Sequence, residues 1–325
     1  VRDFDCIARF RAGGWARRGA LAGLAGIIAV AASPGVSAQA ARVATATATP
    51  AAAPVQPPEG SIGGMGDVNI FPKRVVIDPR QRIGSIGLFN RVAASGDYEV
   101  TLGDLMMTED GDLIALDKVT DPALRARVHP AGPLLRWSPH RVTLAGNEAQ
   151  TVRVMAHAAP DTPPGEYRSH FSIISVPPAT DGLTIDSAAG AASPGGIGVR
   201  IVPRFGISIP VIVRVGETTL TVGLRDLAVS APTASPRVID LVITRDGTRS
   251  AFGDLSVTAK GQRTPVAEIK GIGVYTEVGA RKVHIPVAAK TDPQLLAHGA
   301  KLTVTYTDDD AAPGKILARQ EFTVP

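Results

Sequence analysis

The chain has 325 residues, with 34 Lys and Arg against 30 Asp and Glu, 4% aromatic residues and a single cysteine. Its formal charge of +4 owes most to the first 40 residues, where Arg2, Arg9, Arg11, Arg17 and Arg18 outnumber Asp3 and Asp5. No Lys/Arg stripe with interleaved aromatics follows, which excludes a nucleic-acid surface, and the lone Cys6 in that leading segment leaves no disulfide and no Cys-type zinc site beyond it.

The arginine-rich start leads into an apolar run over 20–32 and then small residues ending Ala38-Gln39-Ala40. This order predicts a secretory signal peptide over 1–40, cleaved after Ala40. The run is shorter than the roughly 20 residues that span a bilayer, so no membrane insertion of the mature chain is expected. Residues 41–66 are Ala, Thr, Pro and Gly with almost nothing large to bury, and read as a flexible, disordered leader.

From Asp67 the pattern changes to short β-branched runs separated by turn residues. They are DVNIFPKRVVI, RIGSIGLFN, DYEVTLGDLMM, DLIALDKV, RWSPHRVTL, QTVRVMA and YRSHFSIISV. Such spacing predicts a β-sandwich over 67–216. Asp110-Gly111 suits a hairpin turn, and the stretch 121–128 is the one short helical candidate. A Gly/Ala/Ser-rich loop at 179–198 then precedes the apolar row of 199–214, VRIVPRFGISIPVIVR, which reads as one long strand. From Glu217 a second series of strand-like runs reaches the C-terminus and predicts a second sandwich over 217–325, joined to the first near Val215-Gly216. The fold class is therefore all-β: two immunoglobulin-like β-sandwich domains after a signal peptide and leader.

Chemistry is sparse. His129, His140, His157, His170, His284 and His298 show no metal-ligand spacing. His170 beside Ser169 on a strand points to the opposite face, so the two cannot act as base and nucleophile, and His170 reads as a polar strand residue. Glu109, Asp110 and Asp112 belong on a solvated hairpin tip, and Asp308, Asp309 and Asp310 on a solvated turn without calcium-loop spacing. Nothing supports an enzyme, a metal site or a cofactor.

Taken in order, several of these runs resemble the PapD-like periplasmic chaperones of the chaperone/usher pilus pathway. FPKRVVID at 71–78 is similar to the family's first strand with its Arg, here Arg74, and RIGSIGLFN at 82–90 to the second with its terminal Asn, here Asn90. LLRWSPHRVTLAGNEAQTVRVMA at 134–156 and GEYRSHFSIISVPP at 165–178 continue the likeness, and 199–214 falls where the family has its long donor strand, ending at Arg214. The resemblance implies donor-strand complementation of a pilus or surface-fibre subunit, with an outer-membrane usher as a further partner. In that register Ile201, Pro203, Phe205 and Ile207 would enter the subunit's groove, each large apolar group worth about 1.5–3 kcal/mol, while Ile209, Val211 and Val213 would fill the home core.

The chain departs from the family at the subunit anchor. The resemblance implies an Arg on the first strand and a Lys on the donor strand. Arg74 is present, with a solvated arginine as its alternative, but the Lys position holds Pro210. Pro203 and Pro210 are an odd number of residues apart, so in a regular strand their missing amides would face opposite neighbours. The readings left open are a periplasmic chaperone and a structural or scaffolding envelope protein with the same fold. A carbohydrate-binding sandwich is disfavoured by the few aromatics.

Overall fold

The computed structural model describes residues 62–63, 67–78, 80–177, 203–231 and 233–325. The signal-peptide expectation, the loop at 179–198 and Ile201 lie outside these residues. The described chain is built almost wholly of strands. The leader expectation needs one correction, because β1 (Ile62–Gly63) pairs with Ile70 and Asn69 of the next strand.

The first sandwich comprises β1, β2 (Val68–Phe71), β3 (Val75–Ile77), β4 (Ile83–Asn90), β5 (Gly96–Gly103), β8 (Leu135–Ser138), β9 (Arg141–Leu144), β10 (Ala149–Ala156), β11 (Gly165–Val176) and β12 (Gly206–Val215). One sheet has the order β1-β2-β4-β10-β8, and the other β3-β12-β11-β5-β9. Two runs that read as single strands in the sequence are each divided between these sheets at a proline. Pro72 separates β2 from β3, and Pro139 separates β8 from β9. A proline has no ladder donor and a fixed φ, so it suits a strand that leaves one sheet for the other.

Alternation then fills the core. Ile86, Leu88, Val152 and Val154 of one sheet face Val100, Phe171, Ile173, Ile209 and Val211 of the other, all buried. Asn90 ends β4 as a buried polar residue, and its side-chain amide donates to the carbonyls of Ala94 and Ala145 at 2.8 and 3.0 Å. Between β5 and β8 the chain makes a hairpin of β6 (Leu105–Met107) and β7 (Leu113–Ala115), then a single helical turn α1 (Pro122–Arg125) capped by the Asp121 carboxylate.

Gly216, at φ +66°, ends β12, and the second sandwich follows. It has β13 (Thr221–Val229), β14 (Val238–Asp246) and β17 (Ala280–Pro286) in one sheet. The other sheet runs β16 (Ala267–Val274), β15 (Ala251–Ala259), β18 (Lys301–Asp308), β19 (Ile316–Thr323). Ile239, Leu241, Ile243 and Ile285 pack against Leu255, Val257, Val304 and Tyr306. This second core also takes in Met107 of β6 and Ile212 of β12, both buried. Strand β12 thus serves two cores: Ile209, Val211 and Val213 fill the first, and Ile212 on its opposite face enters the second.

Candidate functional site

The expected strand over 199–214 is shorter in the structure, running from Gly206 to Val215, with Pro203, Arg204 and Phe205 leading into it outside regular strand. On one side β12 pairs with β11 along its whole length, Gly206 opposite Ile174 and Val215 opposite Gly165. On the other side β3 covers only Val211, Ile212 and Val213, running parallel. From Gly206 to Pro210 no strand among the described residues covers that second edge.

The direction of the main-chain groups along this edge follows from one bond. Ser175 N–H donates to the Phe205 carbonyl at 2.8 Å, so Phe205 faces β11. Neighbouring residues of a strand point their N–H and C=O to alternate sides, and the register shows no shift, so Ile207 and Ile209 also face β11 while Gly206, Ser208 and Pro210 face outward. Pro210 therefore removes a donor from the open edge and none from the home sheet. Pro203 lies before the strand and interrupts nothing. The conflict expected from their odd spacing disappears because only one of them belongs to the ladder.

The sequence-predicted contact residues sit as follows. Pro203 and Phe205 are exposed, Phe205 to 40%. Ile207 is half-buried against the first core, and Ile201 is outside the described residues. Phe205 and Ile207 border a small pocket of about 70 Å³ with Val68, Tyr98 and Ile173. Arg204 reaches across the sheet to Glu99 at 3.1 Å, both side chains about half exposed.

Arg74 is neither a solvated arginine nor free. It precedes β3 where the chain crosses between sheets, and its Nη2 donates to Asp309 Oδ1 at 2.7 Å while its guanidinium stacks 4.5 Å from the Phe252 ring centre. Lys73 donates to the other Asp309 oxygen at 2.6 Å. Burial raises the Asp309 pKa, but the hydrogen bonds from Lys73 and Arg74 outweigh it and hold the carboxyl below its ordinary value.

Asp308, Asp309 and Asp310 are thus not the solvated turn expected from the sequence. Asp308 is buried and accepts from the backbone of Asp310 and Ala312, which shapes the loop. Asp310 accepts from Arg214 and lies 3.9 Å from Arg249. Arg214 also donates to Glu166 at 3.2 Å, and Ser250 donates to the same carboxylate. Replacing Asp310 with Ala leaves Arg214 with Glu166 alone, and is expected to lower stability by about 1.5–3 kcal/mol in urea denaturation. The same substitution of exposed Asp161 is the neutral control.

Deeper in the interface Arg168 of β11 donates to both oxygens of Glu277, at 2.9 and 2.8 Å, and to the Leu105 carbonyl at 2.7 Å. Its guanidinium lies 3.6 Å from the Tyr275 ring centre. Glu277 also accepts from Met107 N–H at 2.8 Å, which ties in the β6–β7 hairpin. The hairpin-tip carboxylates Glu109, Asp110 and Asp112 are exposed as expected, and the tip is tied to the second sandwich through the Glu109 carbonyl, which accepts from Lys282 N–H at 2.7 Å, and the exposed Asp110–Lys282 pair at 3.0 Å. His170, read from the sequence as an ordinary polar strand residue, is buried beside Tyr275 with neither ring nitrogen hydrogen-bonded.

The edge of β12 ends in a cleft between the two sandwiches. A cavity of about 260 Å³ there is lined by Lys73, Arg74, Ser208, Pro210, Phe252 and Arg281, among others. Of these Arg74 and Pro210 were singled out by sequence. Glu166, Arg168, Glu277 and Arg281 were missed, and their signal was charged residues recurring inside strand-like runs. Among the described residues no group of His, Cys, Asp and Glu could hold a metal ion.

No protein-family model and no curated protein matches the chain. Among solved structures it is similar to the YadV chaperone, with 15% identity over 80% of this chain and 100% of that one and a TM-score of 0.39. The Pseudomonas aeruginosa CupB2 chaperone gives 11% identity over 78% and 97%, TM-score 0.37. A Salmonella enterica SafA pilin complex with the SafB chaperone gives 13% identity over 81% and 99%, TM-score 0.37.

Proposed function

We propose that this chain is a periplasmic chaperone that lends the open edge of β12 to a pilus or surface-fibre subunit. The observation that carries the reading is the edge itself. From Gly206 to Pro210 the outward main-chain groups have no strand partner among the described residues, and the edge runs into a cleft lined by Lys73 and Arg74. An extended segment of the subunit pairs with the outward groups of Gly206 and Ser208 and with the Pro210 carbonyl. Ile201, Pro203, Phe205 and Ile207 supply the apolar contacts, and Arg74 stands at the far end of the added strand.

The added strand runs parallel to β12, because a cationic cleft at the Pro210 end favours a chain that ends there in a carboxylate rather than an ammonium. Strand β3 already lies parallel on the next stretch of the same edge.

Co-expression with a candidate fibre subunit tests the reading. Pro203→Asp with Phe205→Asp places two charges where exposed apolar groups become buried in the complex, and the soluble subunit is expected to fall at least about tenfold while the chaperone's own level holds. An undiminished subunit level in the double variant would reject strand lending and leave the scaffolding role.

A further inference from the structure

The β1-β2-β4-β10-β8 sheet has an outward face that takes no part in the edge of β12 or the cleft. Alternation sends Ile86, Leu88, Val152 and Val154 into the first core, which leaves Ile83 of β4 and Met155 of β10 on the opposite face. These two are directly opposed in the register and are 50% and 51% exposed. On the other side of β10, Met155 is opposed by Arg136 of β8, so the three side chains form one row across the sheet. Arg153 lies two positions along β10 on the same face, and Arg82 directly precedes Ile83 at the end of the sheet.

Three guanidinium groups thus surround an exposed apolar pair, and none has a carboxylate partner among the described residues. Arg136 donates to the main-chain carbonyls of Pro133 and Leu135, and the side chains of Arg82 and Arg153 have no partner there. The outward positions of β2, β4, β10 and β8 carry no Asp or Glu. Asp78 shares a cavity of about 290 Å³ with Arg82 and His157 at the end of this row, but its carboxylate accepts from the N–H groups of Arg80 and Gln81. A field of one sign around apolar side chains is complemented by a surface that is both anionic and apolar. Strands β4 and β10 are paired along both edges, so this face offers an extended peptide no free ladder and makes contact by side chains alone. An anionic bilayer supplies both halves: phosphates for the arginines and the headgroup–acyl boundary for Ile83 and Met155.

We propose that this face docks on an anionic phospholipid surface, with Arg82, Arg136 and Arg153 taking the phosphates and Ile83 and Met155 entering the boundary beneath them. The protein lies on the membrane without spanning it. The contact is independent of the strand that β12 lends, since it uses the other sheet of the first sandwich.

Co-sedimentation of the purified protein with vesicles tests this. Vesicles of phosphatidylcholine alone are compared with vesicles of phosphatidylcholine and phosphatidylglycerol in equal parts. Binding is expected to be at least about tenfold stronger on the anionic vesicles, and to be lost near about 1 M salt, where the Debye length is about 3 Å. Arg82→Gln with Arg153→Gln should weaken it about tenfold or more, each arginine near an anionic surface contributing a factor of about five. Ile83→Thr with Met155→Thr should weaken it severalfold at unchanged charge. All four residues are exposed, so the melting temperature is expected to hold in both double variants. Equal binding to the two kinds of vesicle, or none, overturns the proposal. So does binding that survives both double variants, since the arginines of 1–40 are the same in all of them. Loss of binding to inorganic phosphate at constant ionic strength would assign the arginines to a soluble anion and reject the membrane. Equally strong binding of soluble polyglutamate, with the Ile83 and Met155 pair without effect, would assign the face to an acidic polypeptide and reject it too.

Discussion

Arg168→Met is expected to lower the unfolding free energy by about 3–5 kcal/mol, measured by urea denaturation. Arg168 and Glu277 side chains are 4% and 1% exposed, so neither can recover water when its partner goes. Removing the guanidinium leaves a buried carboxylate whose remaining neutral donor is Met107 N–H, and it deprives the Leu105 carbonyl and the Tyr275 ring of their cation. Glu277→Gln should cost less, because Arg168 keeps the Leu105 carbonyl and the Tyr275 stack. The double change Arg168→Met with Glu277→Leu should regain much of the loss, since an apolar pair of similar volume leaves no unpaired charge. These residues lie between the two sandwiches. The single variants should therefore also divide one cooperative transition into two, each sandwich melting on its own core.

The second large effect is on acid stability, through His170. Burial, reinforced by the neighbouring Arg168 cation, lowers its pKa from 6.5 to about 3. The unfolded chain then binds a proton between pH 6.5 and 3 that the folded chain refuses. Stability from this group is fully present above pH 6.5 and is lost as pH falls toward 3, at about 1 kcal/mol for each unit within that window. Urea titrations at pH 7, 6, 5 and 4 should show this slope, and His170→Phe should remove it. Asp309 acts in a separate range. Its carboxyl is held below the ordinary 3.8, so its contribution is present above that value and is lost as pH falls through its depressed folded value. A loss that begins only below pH 4 in the parent protein would show that His170 is protonated without penalty.

Period-two alternation was enough to identify the strands and their apolar faces. Ile209, Val211 and Val213 lie in the home core as their spacing predicts. The same period says nothing about what covers the polar face. In β11, Glu166, Arg168 and His170 alternate with Tyr167, Ser169 and Phe171, which looks in sequence like one solvated face and one packed face. All three polar residues are in fact buried, because the second sandwich closes over them. Asp309 and Asp310 were misread for the same reason: their partners Arg74 and Arg214 are more than ninety positions away in the chain. The strand breaks at Pro72 and Pro139 were legible as prolines, but where the chain went after each break depended on the other sheet.

The open edge of β12 has a consequence for solubility. An uncovered strand edge is a template for any extended chain, including a second copy of this protein. This one is only about 16 Å long at the usual rise per residue. It is bounded by the Arg204–Glu99 pair at one end and by Lys73 and Arg74 at the other. Pro210 removes a donor near the charged end, so a neighbour attempting a continuous ladder meets a gap in the bonding and then positive charge. Proline at this position weakens polymerisation through the edge while leaving Gly206 and Ser208 able to pair.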